Sequence, residues 1–392
     1  MIGDPASLVQ VGISGRLSTR SWRDGGRIAA GFLASRVLLV GYVGLVTAWL
    51  ALDPTGRRVD PVTWVLHRFV WWDSFHFLRI ADQGYVRACC DQAFFPGYPL
   101  AVATAARLTG QPALAGLLVS LVAGTVAAIA LFHLAGPTPA DQQVGRRAAA
   151  YLAVAPFGVF LTAVYSEALF LALALAAWLA GTRQRWWWAG LLAAVATGVR
   201  INGLFLVAGL AVMYLVQLRG SGRWLPRWDV LALALPAAVL AGFVATLHAA
   251  TGSWTAWQDA ETIGWERRNA WPWQGLLIGW QQIWRDGSLD LQLSRAADLV
   301  VVLGGLALLV VLVRSRLWPE AVYLALNLSV LVCSTTLVSA PRYALTWFPG
   351  YLLVARLSRR PGWSWLHRGV LIGCLLLLAA VGWQFTARRW VA

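Results

Sequence analysis

Apolar runs of roughly the 20 residues that a helix needs to cross bilayer hydrocarbon recur along this sequence; Val230 to Ala250 and Arg368 to Trp383 are two of them. Such a run has no polar face to present to water. Only 12% of the 392 residues are charged and 59% are apolar, against about 25% charged in a soluble domain. A water-soluble enzyme is thereby excluded. A porin-type strand alternates apolar and polar residues over about 10 positions. These runs are instead continuous and rich in Ala and Leu. The sequence predicts an all-α, polytopic membrane protein.

The formal charge of +15 invites a nucleic-acid reading until its placement is considered. Every basic residue is Arg, and the arginines flank the apolar runs, where they set orientation. Arg16, Arg20, Arg23 and Arg27 precede the first run, Leu33 to Leu52, and predict a cytoplasmic N-terminus over 1–26. Arg146/Arg147, Arg183/Arg185, Arg219/Arg223/Arg227, Arg314/Arg316 and Arg356/Arg359/Arg360/Arg368 then mark cytoplasmic loops. Most of the 17 carboxylates fall in the segments left outside. No nucleic-acid partner is expected.

About 11 spans result, near 27–51, 112–135, 147–165, 167–182, 186–199, 201–218, 228–251, 298–313, 319–338, 342–357 and 366–386, with an external C-terminus. Ala93 to Thr109 also looks like a span, but parity between external Asp73 and internal Arg146 allows only one there. It is short, holds Pro96 and Pro99 and ends at Arg107, so it is read as a juxtamembrane helix on the outer side. The whole chain, 1–392, is one transmembrane domain with two long external segments, 53–111 and 252–297. Long loops over a rigid helical scaffold are where chemistry concentrates. Their many tryptophans also suit anchoring in the headgroup layer. The first run is long enough to stay as a span, so no cleavable signal peptide is expected.

Cys333 and Cys374 lie in apolar runs and read as packing residues. Cys89 and Cys90 are adjacent, and bridging neighbours strains the peptide, so they are expected to stay unbridged. Neither CxxC nor HExxH occurs and the five His are scattered; no metal and no other cofactor is expected.

The stretch from Trp71-Trp72-Asp73-Ser74-Phe75-His76 to Gly84-Tyr85, followed by Ala93-Phe94-Phe95-Pro96-Gly97-Tyr98-Pro99-Leu100, carries the candidate chemistry. On a helix, Asp73, His76 and Ile80 share one face. A carboxylate and an imidazole beside aromatic rings can bind a sugar and take a proton from its hydroxyl. An interfacial helix with a polar i,i+3 pair fits the same spacing.

This stretch resembles the signature of the PIG-V mannosyltransferases. Ala155-Pro156-Phe157 leading to Tyr165-Ser166-Glu167-Ala168-Leu169-Phe170, Gly198-Val199-Arg200-Ile201-Asn202-Gly203-Leu204 and Pro341-Arg342-Tyr343 resemble further blocks of that family in the same order. The resemblance implies a GT-C-type enzyme that inverts at the anomeric carbon. It implies a polyprenyl-phosphate-mannose donor and an active site on the lumenal or periplasmic side. The acceptor it implies is a lipid-linked sugar or glycolipid. The absence of Lys and the Ala-, Arg- and Gly-rich usage suggest a bacterial gene, hence the cytoplasmic membrane.

With such a donor the enzyme must deprotonate the acceptor hydroxyl and stabilise the departing phosphate. Asp73 suits the base, with His76 as its fallback. Arg200, with Asn202, and Arg342 lie at span ends on the outer side, where they could clamp phosphate or simply snorkel to the interface. Arg79 or helix N-terminal amides are the reserve for phosphate. Trp72, Tyr165 and Glu167 are expected at substrate, although Ser166 can cap the next helix with Glu167 complementing its dipole. In the second external segment Trp257, Glu261 and Trp265 recur at helical spacing and, with Glu266 and Arg267, are expected to select the acceptor; a lid held in the headgroup layer is the alternative. A lipid-linked sugar flippase or a non-catalytic partner subunit would share the many spans, but a transporter would gather polar groups at the midplane and repeat its halves.

Overall fold

The computed structural model describes residues 19–50, 61–85, 90–222, 227–285, 287–389 and 391. Residues 1–18 with Arg16, 51–60, and 86–89 with Cys89, on which parts of the expected terminus and first external segment rest, lie outside them, as does Arg223.

The described residues begin with α1 (Thr19–Leu50), then α2 (Pro61–His67), α3 (Asp73–Gln83), α4 (Gly97–Thr109) and α5 (Pro112–Leu134). There follow α6 (Pro139–Ala153), α7 (Glu167–Thr182), α8 (Trp186–Val199), α9 (Asn202–Gly220) and α10 (Leu235–Thr251). The last part comprises α11 (Ala256–Trp265), α12 (Pro272–Arg285), α13 (Leu289–Arg314), α14 (Trp318–Val332), α15 (Ala340–Ala344), α16 (Phe348–Leu357) and α17 (Ser364–Thr386). Among the described residues, six stretches are long and apolar enough to cross a membrane: Arg23–Val46, Pro112–Leu134, Asn202–Gly220, Trp228–Thr251, Leu289–Arg314 and Ser364–Thr386. Four shorter apolar helices, α7, α8, α14 and α16, pack among them. The protein is an all-α polytopic membrane protein.

At 13 residues, α4 is only about 20 Å long. Gly110 stops it in the left-handed conformation (φ 68°). Buried Tyr98 ties α4 to α5, donating to the Gly116 carbonyl and meeting Ser120 Oγ, each at 3.0 Å.

Four expected spans are not continuous α-helices: 319–338 leaves its helix at Val332, 228–251 opens with a 3-10 helix, Trp228–Ala234, before α10, and two others are broken within. The stretch 147–165 divides into α6, which ends at Ala153, and a 3-10 turn, Gly158–Leu161. A Thr138/Asp141 capping box starts α6 well before Arg147. Beyond Ala153 the fully buried guanidinium of Arg36, from α1, donates to the Gly158 carbonyl at 2.7 Å and to that of Ala153. The cation satisfies the Ala153 carbonyl, left without a helical partner where α6 stops ahead of Pro156. The stretch 342–357 likewise divides into α15 and α16, with Pro349 in the first turn of α16.

Residues expected on the inner side meet at one end of the bundle. Arg146 reaches Asp24 at 3.5 Å, Arg147 donates to Ser358 at 2.8 Å and Arg359 to Gln143 at 3.0 Å. The Asp73 motif lies at the other end, because α7 and α8 run between the two with Glu167 and Arg200 at one limit and Arg183 and Arg185 at the other.

Candidate active site

Four segments converge on Asp73. The first is the entry to α3: Trp72 adopts φ 49°, a left-handed conformation that a bulky residue rarely takes. The Tyr165 hydroxyl holds the turn by donating to the Trp71 carbonyl at 3.1 Å. Asp73 occupies the first turn of α3, where the helix dipole favours a carboxylate. The second segment is the start of α7, with Ser166 and Glu167, and the third the α8–α9 junction, with Arg200. Gly97 brings α4 against the third of these: a Cβ there would lie 2.7 Å from the Gly198 carbonyl oxygen, so only glycine lets α4 meet α8 just ahead of Arg200. The fourth is α15, with Arg342.

The charges interlock. Arg342 donates through Nη1 to Asp73 Oδ2 at 2.5 Å, and its Nε lies 3.1 Å from Glu167 Oε1. Arg200 donates to the same Glu167 oxygen at 2.7 Å and to Ser166 Oγ at 2.9 Å. Glu167 is fully buried, and its Oε2 has no hydrogen-bond partner. The Nε contact of Arg342 is an ion pair without hydrogen-bond geometry. Tyr165 and Phe160 place their rings 5.5 and 5.7 Å from the Arg342 guanidinium. The capping role open to Ser166 is not used: its side chain makes no cap hydrogen bond and accepts from Arg200 instead.

The second external segment closes the site. Its helix α11 carries Trp257 and Glu261 into the wall of a cavity of about 80 Å³, together with Asp73, Arg200, Asn202 and Arg342. The chain after α11 is fastened to the strand-like segment before α15 by the Thr335 amide, which donates to Arg268 O at 3.0 Å, and by the Ala270 amide, which donates to Cys333 O at 2.9 Å. Arg267 donates to the Tyr343 hydroxyl at 3.1 Å and to Val338 O at 3.0 Å. Its Nε lies 3.8 Å from Glu261. Burial raises the Glu261 carboxyl above the usual range, and Arg267 pulls against that shift.

Not every expected residue enters the cavity. His76 is not brought to Asp73: its Nδ1 lies 2.7 Å from Asp91 Oδ1, and its ring stacks on Phe94 at 4.8 Å. Arg79 binds the same buried Asp91, through Nε at 2.7 Å and Nη2 at 2.5 Å. Asp91 therefore fastens the 90–94 turn to α3, a role that no spacing announced. Trp265 ends α11 beside Phe94, 5.4 Å between ring centroids. Trp72 packs edge-on against Phe385 at 5.1 Å. Asn202 lines the cavity while donating to Asn327 at 2.7 Å. Tyr165 and Glu167 stand behind the wall, holding Arg342 and Arg200. Trp254, Trp271, Trp273, Trp280 and Trp284 are exposed, as interfacial anchors are. Cys90, contrary to expectation, is disulfide-bonded, at a turn where its φ is 82°; its neighbour Cys89 lies outside the described residues. Among the described residues no group of His, Cys, Asp and Glu is placed to hold a metal ion.

Residues 57–221 match the family model described as Mannosyltransferase (PIG-V). The GPI alpha-1,6-mannosyltransferase 2 of Mus musculus is 38% identical over 165 residues, 39% of this chain and 33% of that protein. That of Homo sapiens is 38% identical over 169 residues, 41% of this chain and 34% of that protein. That of Cricetulus griseus is 39% identical over 151 residues, 36% and 30% of the two chains. The chain spans about a third of the length of the curated relatives it matches. The resemblance read from the Trp-Asp block is borne out, and the family match contains Asp73, Glu167, Arg200 and Asn202 while Glu261 and Arg342 lie beyond it.

Proposed function

We propose that this chain, whose residues 57–221 match the PIG-V mannosyltransferase family model, transfers mannose from a polyprenyl-phosphate-mannose donor to a lipid-linked or glycolipid acceptor at the external membrane face. The observation that carries the reading is the direct pairing of Asp73 with Arg342 on the wall of a cavity that Arg200 also lines. A base and two phosphate-binding cations then stand within one small volume. Asp73 accepts the proton of the acceptor hydroxyl as that oxygen bonds to the anomeric carbon from the side opposite the phosphate. The bond from anomeric carbon to phosphate oxygen breaks, its electron pair leaves with the polyprenyl phosphate, and the configuration inverts. Arg342 and Arg200 face the charge that develops on the leaving group, and a guanidinium fork matches phosphate oxygens. When the donor phosphate draws the Arg342 guanidinium toward itself, Asp73 is released to act as base.

The cavity favours a moving α11. Its volume of about 80 Å³ is well below the roughly 300 Å³ of the smaller ligand pockets. A glycosyl donor enters by displacing the wall that Trp257 and Glu261 supply. That makes α11 a lid as well as an acceptor contact.

The test is purified protein with polyprenyl-phosphate-mannose and a panel of membrane lipids, in wild type and Asp73→Asn. Asp73→Asn retains the fold and loses about a hundredfold or more in transfer, the scale of a lost general base. Near-normal turnover in that variant removes Asp73 from the mechanism. Absence of any transfer by the wild type to every lipid acceptor overturns the reading as a whole.

A further inference from the structure

The arginine pair of the α7–α8 turn does more than orient the chain. Arg183 follows α7 and Arg185 precedes α8, and among the described residues neither has a carboxylate within ion-pair distance. They stand at one end of a groove of about 370 Å³ between α5, α7 and α8, with His133 beside them. The rest of the groove is apolar, walled by Val126, Ala176 and Leu179 among others. Val126 is 44% exposed, so the groove opens on the outside of the bundle, where lipid lies. Partial desolvation against the groove and the neighbouring Arg185 both hold Arg183 below the usual arginine range. The cations thus repel each other with no anion between them. The first turn of α8 carries no acidic residue and no side-chain cap, so its amides add to the positive field.

We propose that this groove binds an anionic phospholipid, with the phosphate held by Arg183 and Arg185 and one acyl chain lying against Val126, Ala176 and Leu179. Basic pockets between membrane helices take lipid phosphates in this manner. Charge complementarity selects an anionic headgroup, and the length of apolar wall below it selects a lipid over a soluble phosphate. The site is distinct from the Asp73 cavity, which lies at the opposite end of α7, about 24 Å away for its 16 residues. The lipid would brace the far ends of the two helices that present Glu167 and Arg200.

The experiment is native mass spectrometry of the delipidated full chain in detergent. It compares phosphatidylglycerol, phosphatidylcholine of the same acyl chains, and inorganic phosphate as competitor. Phosphatidylglycerol is expected to bind in preference. Arg183→Gln with Arg185→Gln should weaken it about thirtyfold, from two surface arginines at a lipid phosphate, with phosphatidylcholine unaffected. Ala176→Trp, which fills the apolar wall and leaves both arginines, should weaken phosphatidylglycerol as well and keeps the proposal testable should the double variant fold poorly. Equal binding of the two lipids by the wild type, or a preference that survives the arginine substitutions, overturns the proposal. Displacement of phosphatidylglycerol by millimolar inorganic phosphate does so too, by making the site one for a soluble anion.

Discussion

Glu167 is the point at which the charge network is most exposed to a single change. One of its oxygens serves both Arg200, at 2.7 Å, and Arg342, at 3.1 Å, and the side chain has no access to water. Glu167→Ala leaves two guanidinium groups, their side chains only 12% exposed, without their shared anion. Removing one partner of a buried pair costs about 3–5 kcal/mol, and here two pairs are broken at once, so the upper half of that range applies. Glu167→Gln keeps a carbonyl oxygen for the Arg200 N–H and loses the charge. The cost then falls to about 1–1.5 kcal/mol, that of a charge-assisted hydrogen bond reduced to a neutral one. Equilibrium unfolding in mixed micelles should rank the proteins wild type, then Gln, then Ala. Steady-state kinetics should show the donor KM raised about tenfold in the Gln variant, the equivalent of about 1.4 kcal/mol, because Arg200 and Arg342 lose the brace that aims them. An Ala variant within about 0.5 kcal/mol of wild type, well below the stated cost of a broken buried pair, would refute the reasoning if its donor KM were also unchanged.

The remaining predictions concern the walls of the cavity. Arg342→Lys and Arg200→Lys should recover only part of the donor use lost in the corresponding Ala variants, since a point charge cannot reproduce the guanidinium fork; full recovery by Lys would show that charge alone suffices. Transfer should persist in excess chelator, because Asp73 and Glu167 are already engaged by arginines, and loss of activity restored by a divalent cation would recast them as ligands. Glu261→Gln should raise the acceptor and donor KM together, since α11 touches the acceptor and its movement admits the donor; a rise in the acceptor constant alone would show that α11 is not a lid.

How much of this was legible in the sequence depends on whether a feature is local. Helix class and the two ends of the bundle follow from apolar runs and arginine placement, which are properties of short windows. The breaks within 147–165 and 342–357 were not legible in the same way. Pro156 and Pro349 gave a local warning, but the interruption after Ala153 is stabilised by Arg36, more than a hundred residues earlier in the chain. Such a buried cation, inside a run whose composition otherwise reads as plain span, declares itself only when its carbonyl partners are in place.

The site divides along the same line. Asp73, Arg200 and Arg342 could be singled out because an ionisable group at the end of an apolar run is costly and so calls for a role. Trp257 and Glu261 could be paired because helical spacing puts them on one face, and both do reach the cavity. Spacing misled for His76. An i,i+3 relation puts it on the face of Asp73, but a side chain turns toward the strongest partner within reach, and for His76 that is Asp91, from the turn after the described end of α3. The same competition decides Ser166. A serine just ahead of a helix ordinarily caps it, yet a buried arginine is the more demanding neighbour, since its unmet donors cost more than one free helix amide. Local rules therefore fail where a buried charge is present, and at this site those failures mark the residues that hold the arginines in place.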